Sequence, residues 1–302
     1  MSNLSGILAV DKPLVVTSHD VVNQLRRLSG TRRIGHAGTL DPLATGVMLL
    51  GVGRAARLLE YLVGLPKTYE TAVRLGQTTN TYDAEGEIVV ERPFAHLTES
   101  HITAALTQFR GPIQQKPPLY SAIKKNGKPL YKLAREGAEV ELPAREVTIY
   151  EITMLAWHSP VLHLRVACSS GTYIRSLGHD LGEALGCGGY LTALRRTAVG
   201  DFTLDQAVSL DQLTAVNLAD HLLPPETAVA HLPQLTLPAS EVDRLLVGQR
   251  LVRETDHALH EVVRLTNPAG EFVGILRAEE DYWQPHKMFL PETAVVDQTS
   301  LL

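Results

Sequence analysis

The order of strand-like and helix-like segments is the feature of this sequence that most limits its possible folds. Apolar or alternating segments predict strands at residues 7–10, 47–52, 67–75, 147–157 and 161–169. Amphipathic spacing predicts helices at residues 17–28, 55–62, 98–109 and 174–185. Because hairpins occur among the alternating strands and helices, the order favours an α+β fold with a mixed, mostly antiparallel sheet over a doubly wound parallel sheet.

The length and a change of composition near residue 230 predict two domains. A chain of 302 residues can form a large domain with its own core and a smaller second one. Residues 222–238 are rich in Pro and Leu, which is typical of a linker. We therefore predict a large domain over residues 1–230 and a small β-rich domain over residues 231–302. The large domain is predicted to carry a basic, mobile surface insertion at about residues 111–137.

The composition excludes several classes of protein. The N-terminus has no basic segment before an apolar run, and the most apolar stretch, residues 47–52, is far shorter than a membrane span. The two cysteines, Cys168 and Cys187, form no CxxC pair, and the 12 histidines form no HExxH motif. A disulfide framework and a cysteine-rich zinc site are therefore excluded. We predict no metal and no membrane partner, and we expect the chain in the reducing cytoplasm.

The distribution of charge predicts a polyanionic partner, although the net charge of the chain is -5. Residues 1–200 carry 22 Lys and Arg against 17 Asp and Glu, whereas residues 201–302 carry 6 against 16, so the positive charge lies in the large domain. Residues 24–40 and 100–135 contain basic side chains and no acidic one. A solvated face would explain scattered lysines, but two basic segments free of acid are more typical of a nucleic-acid-binding surface.

Residues 35–47, GHAGTLDPLATGV, contain the strongest candidates for a functional site. Small residues surround one imidazole, His36, and one carboxylate, Asp41, and glycines let a backbone approach a ligand closely or adopt a positive φ. Taken alone, the Asp41-Pro42 pair favours the start of a helix, with Asp as the N-cap and Pro in the first turn. Taken alone, His36 is more typical of a loop histidine without a catalytic part.

Further segments make this loop part of an ordered set of motifs. In chain order the set is DKP at 11–13, GHAGTLDPLATGV at 35–47, KTYE and RLG within 67–76, TNTYDAEG at 79–86, CSSGTYIR and DLG within 168–182, and LRRT at 194–197. The set resembles the motifs of the TruB family of pseudouridine synthases, in the family's order, across residues 7–200. Ala37, Asn80, Tyr82 and Glu85 stand where the family pattern often has Thr, Asp, Ser and Asp. Residues 235–295 resemble a PUA-type RNA-binding module more loosely.

The resemblance implies a pseudouridine synthase fold and an enzyme that converts a uridine to pseudouridine at position 55, in the T-loop of tRNA. It implies Asp41 as the catalytic carboxylate. It also implies that Tyr69 stacks on the uracil, that Arg175 pairs with the carboxylate, and that the remaining substrate-binding residues are His36, Tyr173 and Leu194. The basic residues predicted to contact RNA are Lys12, Arg32, Arg33, Lys124, Lys125, Lys128, Lys132, Arg195 and Arg196.

The chemistry of this isomerisation fits a site with one carboxylate. The N1–C1′ bond of uridine breaks, the uracil turns, and C5 bonds to C1′. Because nothing is oxidised and no group is transferred from another molecule, no cofactor is predicted. The carboxylate can attack uracil C6, attack ribose C1′ or remove a ribose proton, and the sequence leaves these routes open. A guanidinium such as that of Arg175 favours the ionised carboxylate. The target base must leave the RNA stack to reach it.

Three other functions fit parts of the pattern. A catalytic subunit of a guide-RNA-directed pseudouridylation particle would share the chemistry, but the charged terminal extensions expected of such a subunit are missing. A tRNA-binding folding chaperone without catalysis would need the same basic segments. A glycoside hydrolase would normally use a pair of carboxylates, and residues 35–47 supply one. We therefore expect a monomeric enzyme that acts on the T-arm of tRNA without an obligate protein partner.

Overall fold

The larger part of the protein is built on one mixed sheet, seen in a computed structural model that describes residues 4–120, 124–125, 128–129, 143–253 and 257–289. The strands are β1 (Gly6–Lys12), β2 (Ile34–His36), β3 (Ala44–Val52), β4 (Lys67–Leu75), β5 (Gln77–Thr79), β6 (Ile88–Glu91), β7 (Gly111–Gln115), β8 (Lys124–Lys125), β9 (Lys128–Pro129), β10 (Arg145–His158), β11 (Val161–Cys168), β12 (Gly189–Val199), β13 (Phe202–Thr203), β14 (Val208–Ser209), β15 (Gln234–Thr236), β16 (Leu251–Val252), β17 (Val262–Thr266), β18 (Phe272–Ala278) and β19 (Tyr282–Met288). The α-helices are α1 (Ser18–Ser29), α2 (Leu59–Val63), α3 (Glu99–Thr107), α4 (Ile174–Ala184) and α5 (Ala239–Leu246). Short 3₁₀ helices cover Gly53–Leu58, Leu204–Gln206, Leu210–Gln212, Leu218–His221 and Pro225–Val229.

The strand order of the main sheet is β14-β1-β3-β12-β4-β11-β10-β7, with β2 paired to β3 and β13 paired to β12. Two pairs, β1–β14 and β3–β12, are parallel, and the other pairs of this sheet are antiparallel. The predicted α+β fold with a mixed, mostly antiparallel sheet is therefore confirmed. The parallel β3–β12 pair lies in the middle of the sheet, beside β4. Strands β4 and β12 carry residues of the candidate site, and the loop before β3 carries Asp41.

Helix α1 begins and ends as its sequence predicts. Thr17 caps its first turn, and Thr17 and Asp20 form the reciprocal capping box. The helix ends at Gly30, which has a left-handed conformation with φ 66°. Val21, Val22 and Leu25 are buried and fix the helix to the core of the sheet, so its first turn has a defined position next to the loop that carries Asp41.

Gly46 allows the central parallel pair to form. In β3 it faces Arg196 of β12, and its φ is 102°. A Cβ at this position would lie 2.2 Å from the backbone oxygen of Arg196, a distance that no side chain tolerates. Glycine is therefore required here by both close approach and backbone conformation. The start of β3, and with it the loop ahead of it, lies directly against β12.

Three local predictions differ from the structure. The helix favoured by Asp41-Pro42 alone is wrong, because a turn follows Asp41 and β3 begins at Ala44. The predicted helix at 55–62 is a 3₁₀ segment, Gly53–Leu58, followed by the short α2. The first five residues of the predicted mobile insertion are β7, an edge strand paired with β10, because its backbone satisfies its hydrogen bonds there. Residues 121–123, 126–127 and 130–142 lie outside the described residues.

The C-terminal part is a separate five-stranded sheet in the order β15-β17-β18-β19-β16, with α5 packed beside it. Its last described residue, Phe289, joins an apolar cluster with Ala55, Leu58 and Leu62 of the first part. The guanidinium of Arg57 lies over the Phe289 ring at 5.7 Å. This contact joins the two parts of the chain, while the predicted PUA-type assignment stays a prediction. None of the described helices is long and apolar enough to cross a membrane.

Candidate active site

The loop that carries Asp41 is fixed by hydrogen bonds on both sides of the carboxylate. The Ser18 hydroxyl donates to the Leu40 oxygen at 2.9 Å and accepts from the Leu40 nitrogen at 2.8 Å. Past the aspartate, the Val15 nitrogen donates to the oxygen of Pro42 at 2.9 Å. These bonds to backbone atoms hold the loop in one conformation, so the position of Asp41 is set before any ligand arrives.

A cavity of about 260 Å³ opens beside this loop, at the centre of the main sheet. Five of the six residues predicted for catalysis and substrate binding line it: Asp41, Tyr69, Tyr173, Arg175 and Leu194. They come from the loop before β3, from β4, from the start of α4 and from β12. Residues that are distant in sequence therefore meet at one concave site, which is the usual form of a small-molecule site.

The Arg175 side chain lies between two carboxylates. Its Nε atom is 3.0 Å from Oδ2 of Asp41, and its Nη1 atom is 3.2 Å from Oδ2 of Asp83. Asp83 is almost completely buried, at 2% side-chain exposure, whereas the Asp41 side chain keeps 37% and faces the cavity. One guanidinium thus holds a structural carboxylate on one side and a solvent-accessible one on the other.

Backbone oxygens complete the surroundings of Arg175. Its Nη1 also donates to the oxygen of Thr81 at 3.1 Å, and its Nη2 donates to the oxygen of Tyr120 at 2.8 Å. The Nε contact with Asp41 is an ion pair without the angle of a well-directed hydrogen bond. Arg175 is therefore held mainly from the side of residues 79–86, and it presents one edge to Asp41.

Opposing effects act on the ionisation of Asp41. Burial raises the pKa of its carboxyl above the ordinary value, and the negative charge of Asp83 raises it further. The positive charges of Arg175 and Lys12 lower the pKa, as predicted for Arg175, but burial is the largest effect and the pKa is raised on balance.

The start of helix α4 has a support that the sequence did not indicate. The buried side chain of Gln115, in β7, bonds both backbone atoms of Tyr173: its Oε1 accepts from the Tyr173 nitrogen at 2.7 Å, and its Nε2 donates to the Tyr173 oxygen at 3.0 Å. The Arg145 guanidinium lies over the Tyr173 ring at 4.8 Å. These contacts orient the first turn of α4, which carries Arg175.

Tyr69 and Leu194 form the inner wall of the cavity. Tyr69 pairs with Arg196 across β4 and β12, and Leu194 is the neighbour of Thr71 in the same pairing. Both side chains are nearly buried, at 8% and 9% exposure, and each keeps an edge on the cavity. Burial raises the pKa of the Tyr69 phenol, so the ring is neutral near pH 7 and can serve as an apolar platform for a base.

His36 is the one predicted substrate-binding residue that does not line the cavity, although Gly38, two residues later, does. It ends β2, is half-buried, and pairs with Leu50 of β3. Burial lowers the pKa of its imidazole below the ordinary value, so the ring is uncharged near pH 7. Its predicted place beside the extruded base stays a prediction.

The basic residues predicted to contact RNA occupy different environments. Arg32 and Arg33 are exposed, and Arg195 is half-exposed and paired with Asp11 at 2.7 Å. Lys124, Lys125 and Lys128 belong to the short strands β8 and β9, and Lys132 lies outside the described residues.

Lys12 and Arg196 differ from this group because both side chains are buried. Lys12 Nζ donates to the oxygens of Pro13 and Val16, and burial lowers its pKa to about 8. Arg196 Nε donates to the oxygen of Val47 at 2.7 Å, and its Nη2 donates to the oxygen of Gly38 at 3.3 Å. The polar groups of both side chains bind backbone oxygens of the chain itself, and their predicted contact with RNA stays a prediction.

Three residues near the site were missed in the sequence. Asp83 stood in a segment, 79–86, that matched a family motif, but no local pattern distinguished it as a buried partner of Arg175. Gln115 carried no signal at all. Lys67 was noted only as part of a motif, and the structure shows its Nζ bonded to the oxygens of Val63 and Leu65 at the cavity wall. Among the described residues, no group of three His, Cys, Asp or Glu side chains is placed to hold a metal ion.

The fold and the site together define a class of protein. A solvent-facing carboxylate, that of Asp41, lies beside a buried guanidinium and an aromatic wall in the middle of a mixed sheet. This arrangement suits nucleophilic or acid–base chemistry on a flat ligand. Residues 26–174 match the family described as TruB family pseudouridylate synthase (N terminal domain). Residues 175–230 match the tRNA pseudouridylate synthase B C-terminal domain, and residues 233–285 match Pseudouridine synthase II TruB, C-terminal.

Full-length relatives agree with these matches. The chain is 44% identical over 299 residues to tRNA pseudouridine synthase B of Dehalococcoides mccartyi (strain CBDB1), covering 97% of this chain and 99% of that protein. It is 50% identical over 254 residues to tRNA pseudouridine synthase B of Thermobifida fusca (strain YX), covering 82% of this chain and 86% of that one. The chain belongs to the TruB family of pseudouridylate synthases.

Solved structures share the fold at lower identity. A chain of an H/ACA RNP bound to a substrate RNA containing 2′-deoxyuridine superposes with a TM-score of 0.74 at 24% identity, over 95% of this chain and 86% of that one. A chain of a Cbf5-Nop10-Gar1 complex superposes with a TM-score of 0.73 at 26% identity, over 95% of this chain and 85% of that one. The pseudouridine synthase fold predicted from the motifs is confirmed.

Proposed function

We propose that this protein converts the uridine at position 55, in the T-loop of tRNA, to pseudouridine, with Asp41 as the catalytic carboxylate. The observation that carries the proposal is the contact between Asp41 and Arg175 in a cavity lined by Tyr69. The relatives named tRNA pseudouridine synthase B support tRNA as the substrate, because they match this chain along nearly its whole length.

The cavity supports a base-flipping reaction. A uracil removed from the RNA stack needs an apolar surface for its face and polar groups at its edge. Tyr69 and Leu194 offer the first, and Asp41 and Arg175 offer the second. The ionised carboxylate then acts on C6 of the uracil or on the ribose while the N1–C1′ bond breaks. The uracil turns, C5 bonds to C1′, and loss of the C5 proton restores the ring. Tyr69 is a candidate for the proton acceptor on position alone.

The sequence identities of the relatives favour a stand-alone tRNA-modifying enzyme over a catalytic subunit of a guide-RNA-directed particle. Several bacterial relatives named tRNA pseudouridine synthase B are 43–50% identical to the chain, whereas the matched chains of the H/ACA RNP and of the Cbf5-Nop10-Gar1 complex are 24% and 26% identical. Guide-RNA-directed activity would require a second RNA in the reaction. The test of the proposal therefore omits every other RNA and protein.

The test is to incubate the purified chain with one unmodified tRNA transcript and to map pseudouridine at single-nucleotide resolution. We expect a single modified uridine in the T-loop, and no product in a transcript whose target uridine is replaced by cytidine. Modification at another position, or a requirement for a guide RNA, would contradict the proposed substrate. Release of free uracil would instead indicate glycoside hydrolysis, which leaves an abasic site.

The pH dependence of the chemical step follows from the ionisation of Asp41. The reaction needs the carboxylate, and burial raises the pKa of this group above its ordinary value. The rate should therefore reach its maximum above the raised pKa and fall tenfold per pH unit below it. This fall should begin at a higher pH than it would for an exposed aspartate. Single-turnover rates across the acid range measure this limb, with circular dichroism at each pH to exclude unfolding. A folded protein whose rate is constant down to about pH 4 contradicts this assignment.

A further inference from the structure

The backbone conformation of Tyr82 is unusual for a residue with a large side chain. Its φ is 64°, in the left-handed region that a Cβ disfavours, and only Val15 and His260 share such a value among the described non-glycine residues. The Tyr82 nitrogen donates to the oxygen of Thr79 at 3.3 Å, and the Tyr82 oxygen accepts from the nitrogen of Leu191 at 3.0 Å. A conformation of this kind persists only where surrounding contacts hold it.

Both chain neighbours of Tyr82 contact Arg175. The Thr81 oxygen and the Asp83 carboxylate accept hydrogen bonds from the same atom, Nη1 of Arg175, at 3.1 and 3.2 Å. The left-handed turn at Tyr82 brings these two acceptors to one point. If Tyr82 relaxed to an ordinary conformation, Thr81 and Asp83 would no longer converge on the guanidinium. The geometry around Arg175 therefore depends on what holds Tyr82.

The Tyr82 ring is held by His179. The two rings are stacked, with centroids 3.9 Å apart and an angle of 12° between their planes. His179 lies four residues after Arg175 in helix α4, so both side chains project from the same face of the helix. The ion pair between Arg92 and Glu183, at 2.8 Å, belongs to the same face one turn later. The stack thus joins the segment 80–86 to the helix whose Arg175 that segment must orient.

We propose that the Tyr82–His179 stack is a positioning clamp, which fixes the segment 80–86 on helix α4 and so aligns Arg175 with Asp41. The clamp distinguishes this chain from the family pattern, in which a serine is frequent at the position of Tyr82. The inference deepens the proposed function and rests on it, because the alignment of Arg175 matters only if Asp41 is catalytic. Tyr82 and His179 act through Arg175 and touch no reacting atom.

The test distinguishes the contribution of the Tyr82 ring from that of its hydroxyl, and it distinguishes an effect on kcat from an effect on KM. Tyr82→Ser removes the stack, and Tyr82→Phe keeps it. We expect kcat of Tyr82→Ser on tRNA to fall about tenfold with KM changed by less than about twofold, and kcat of Tyr82→Phe to stay within about twofold of wild type. A Tyr82→Ser enzyme with wild-type kcat overturns the clamp. So does a Tyr82→Phe enzyme as slow as Tyr82→Ser, because the ring alone would then be insufficient.

A double-mutant cycle tests whether the two rings act as one unit. His179→Ala should lower kcat about as much as Tyr82→Ser, and the double variant should be no slower than either single variant. Losses that multiply in the double variant would show independent roles and overturn the proposal. Asp41→Asn is measured beside them. If Asp41→Asn is inactive while the Tyr82 and His179 variants are fully active, the clamp fails and the proposed function stands. If Asp41→Asn keeps its activity, the proposed function itself fails.

Discussion

Asp41→Asn should abolish pseudouridine formation while tRNA binding persists. The substitution replaces the solvent-facing carboxylate with a group of nearly the same shape that is neither a nucleophile nor a base, so we expect the single-turnover rate to fall on the order of 10⁴-fold. Rapid-quench measurement with saturating enzyme and a labelled transcript gives this rate directly. Filter binding of the same transcript should give a dissociation constant within about threefold of wild type, since the exposed Arg32 and Arg33 are unchanged.

The structure also predicts that Asp41→Asn folds normally. Asp41 and Asp83 share one guanidinium, and the negative charge of Asp83 raises the pKa of Asp41. Removing the cavity-facing carboxylate relieves this repulsion and leaves Arg175 paired with the buried Asp83, so the urea midpoint should be unchanged or slightly higher. Asp220→Asn, at an exposed acid in the 3₁₀ helix Leu218–His221, is the matched control and should keep full activity. A substantial rate in Asp41→Asn would remove the catalytic assignment.

Much of the fold was predictable because it depends on local patterns. The capping box of Thr17 and Asp20 sets the first turn of α1, and the alternation of residues 67–75 matches β4 at both ends. The Asp41-Pro42 pair shows where local patterns are insufficient. By itself it favours a helix start, but the chain enters a turn and then β3, because β3 pairs with β1 and β12. Strand pairing is a tertiary interaction that a window of a few residues does not contain.

The candidate site was predictable where motifs carry it and hidden where long-range contacts build it. The motifs identified Asp41 and Arg175, and the structure brings them to 3.0 Å. They gave no reason to expect Gln115, whose amide fixes Tyr173 across 58 residues of sequence. They also gave no sign that the side chain of Arg196, which was predicted to contact RNA, is buried, because a basic residue is usually exposed. Its burial depends on the backbone oxygens that surround it, and no sequence pattern reports those.

Arg175→Met should cause the second-largest loss of activity, and it should also lower the stability of the fold. It leaves the buried carboxylate of Asp83 without its counter-charge, and breaking a buried ion pair costs about 3–5 kcal/mol. It also removes the main positive charge beside Asp41, so the pKa of Asp41 rises further and the acid limb of the rate moves to higher pH. We expect a rate about 10³-fold lower near neutral pH, because the ion pair that orients and ionises the carboxylate is lost. Urea unfolding and single-turnover kinetics on the same preparation measure both effects.

The double variant Arg175→Met with Asp83→Asn separates the two roles of the guanidinium. Asp83→Asn removes the unpaired buried charge, so most of the lost free energy of unfolding should return, while Asp41 still lacks its cationic partner and the rate should stay low. Recovery of stability without recovery of rate means that Arg175 acts on Asp41 directly. Recovery of both would mean that Arg175 serves only to neutralise Asp83, and the ion pair with Asp41 would then have no part in catalysis. The two carboxylates thus let one experiment distinguish a structural arginine from one that controls the reacting group.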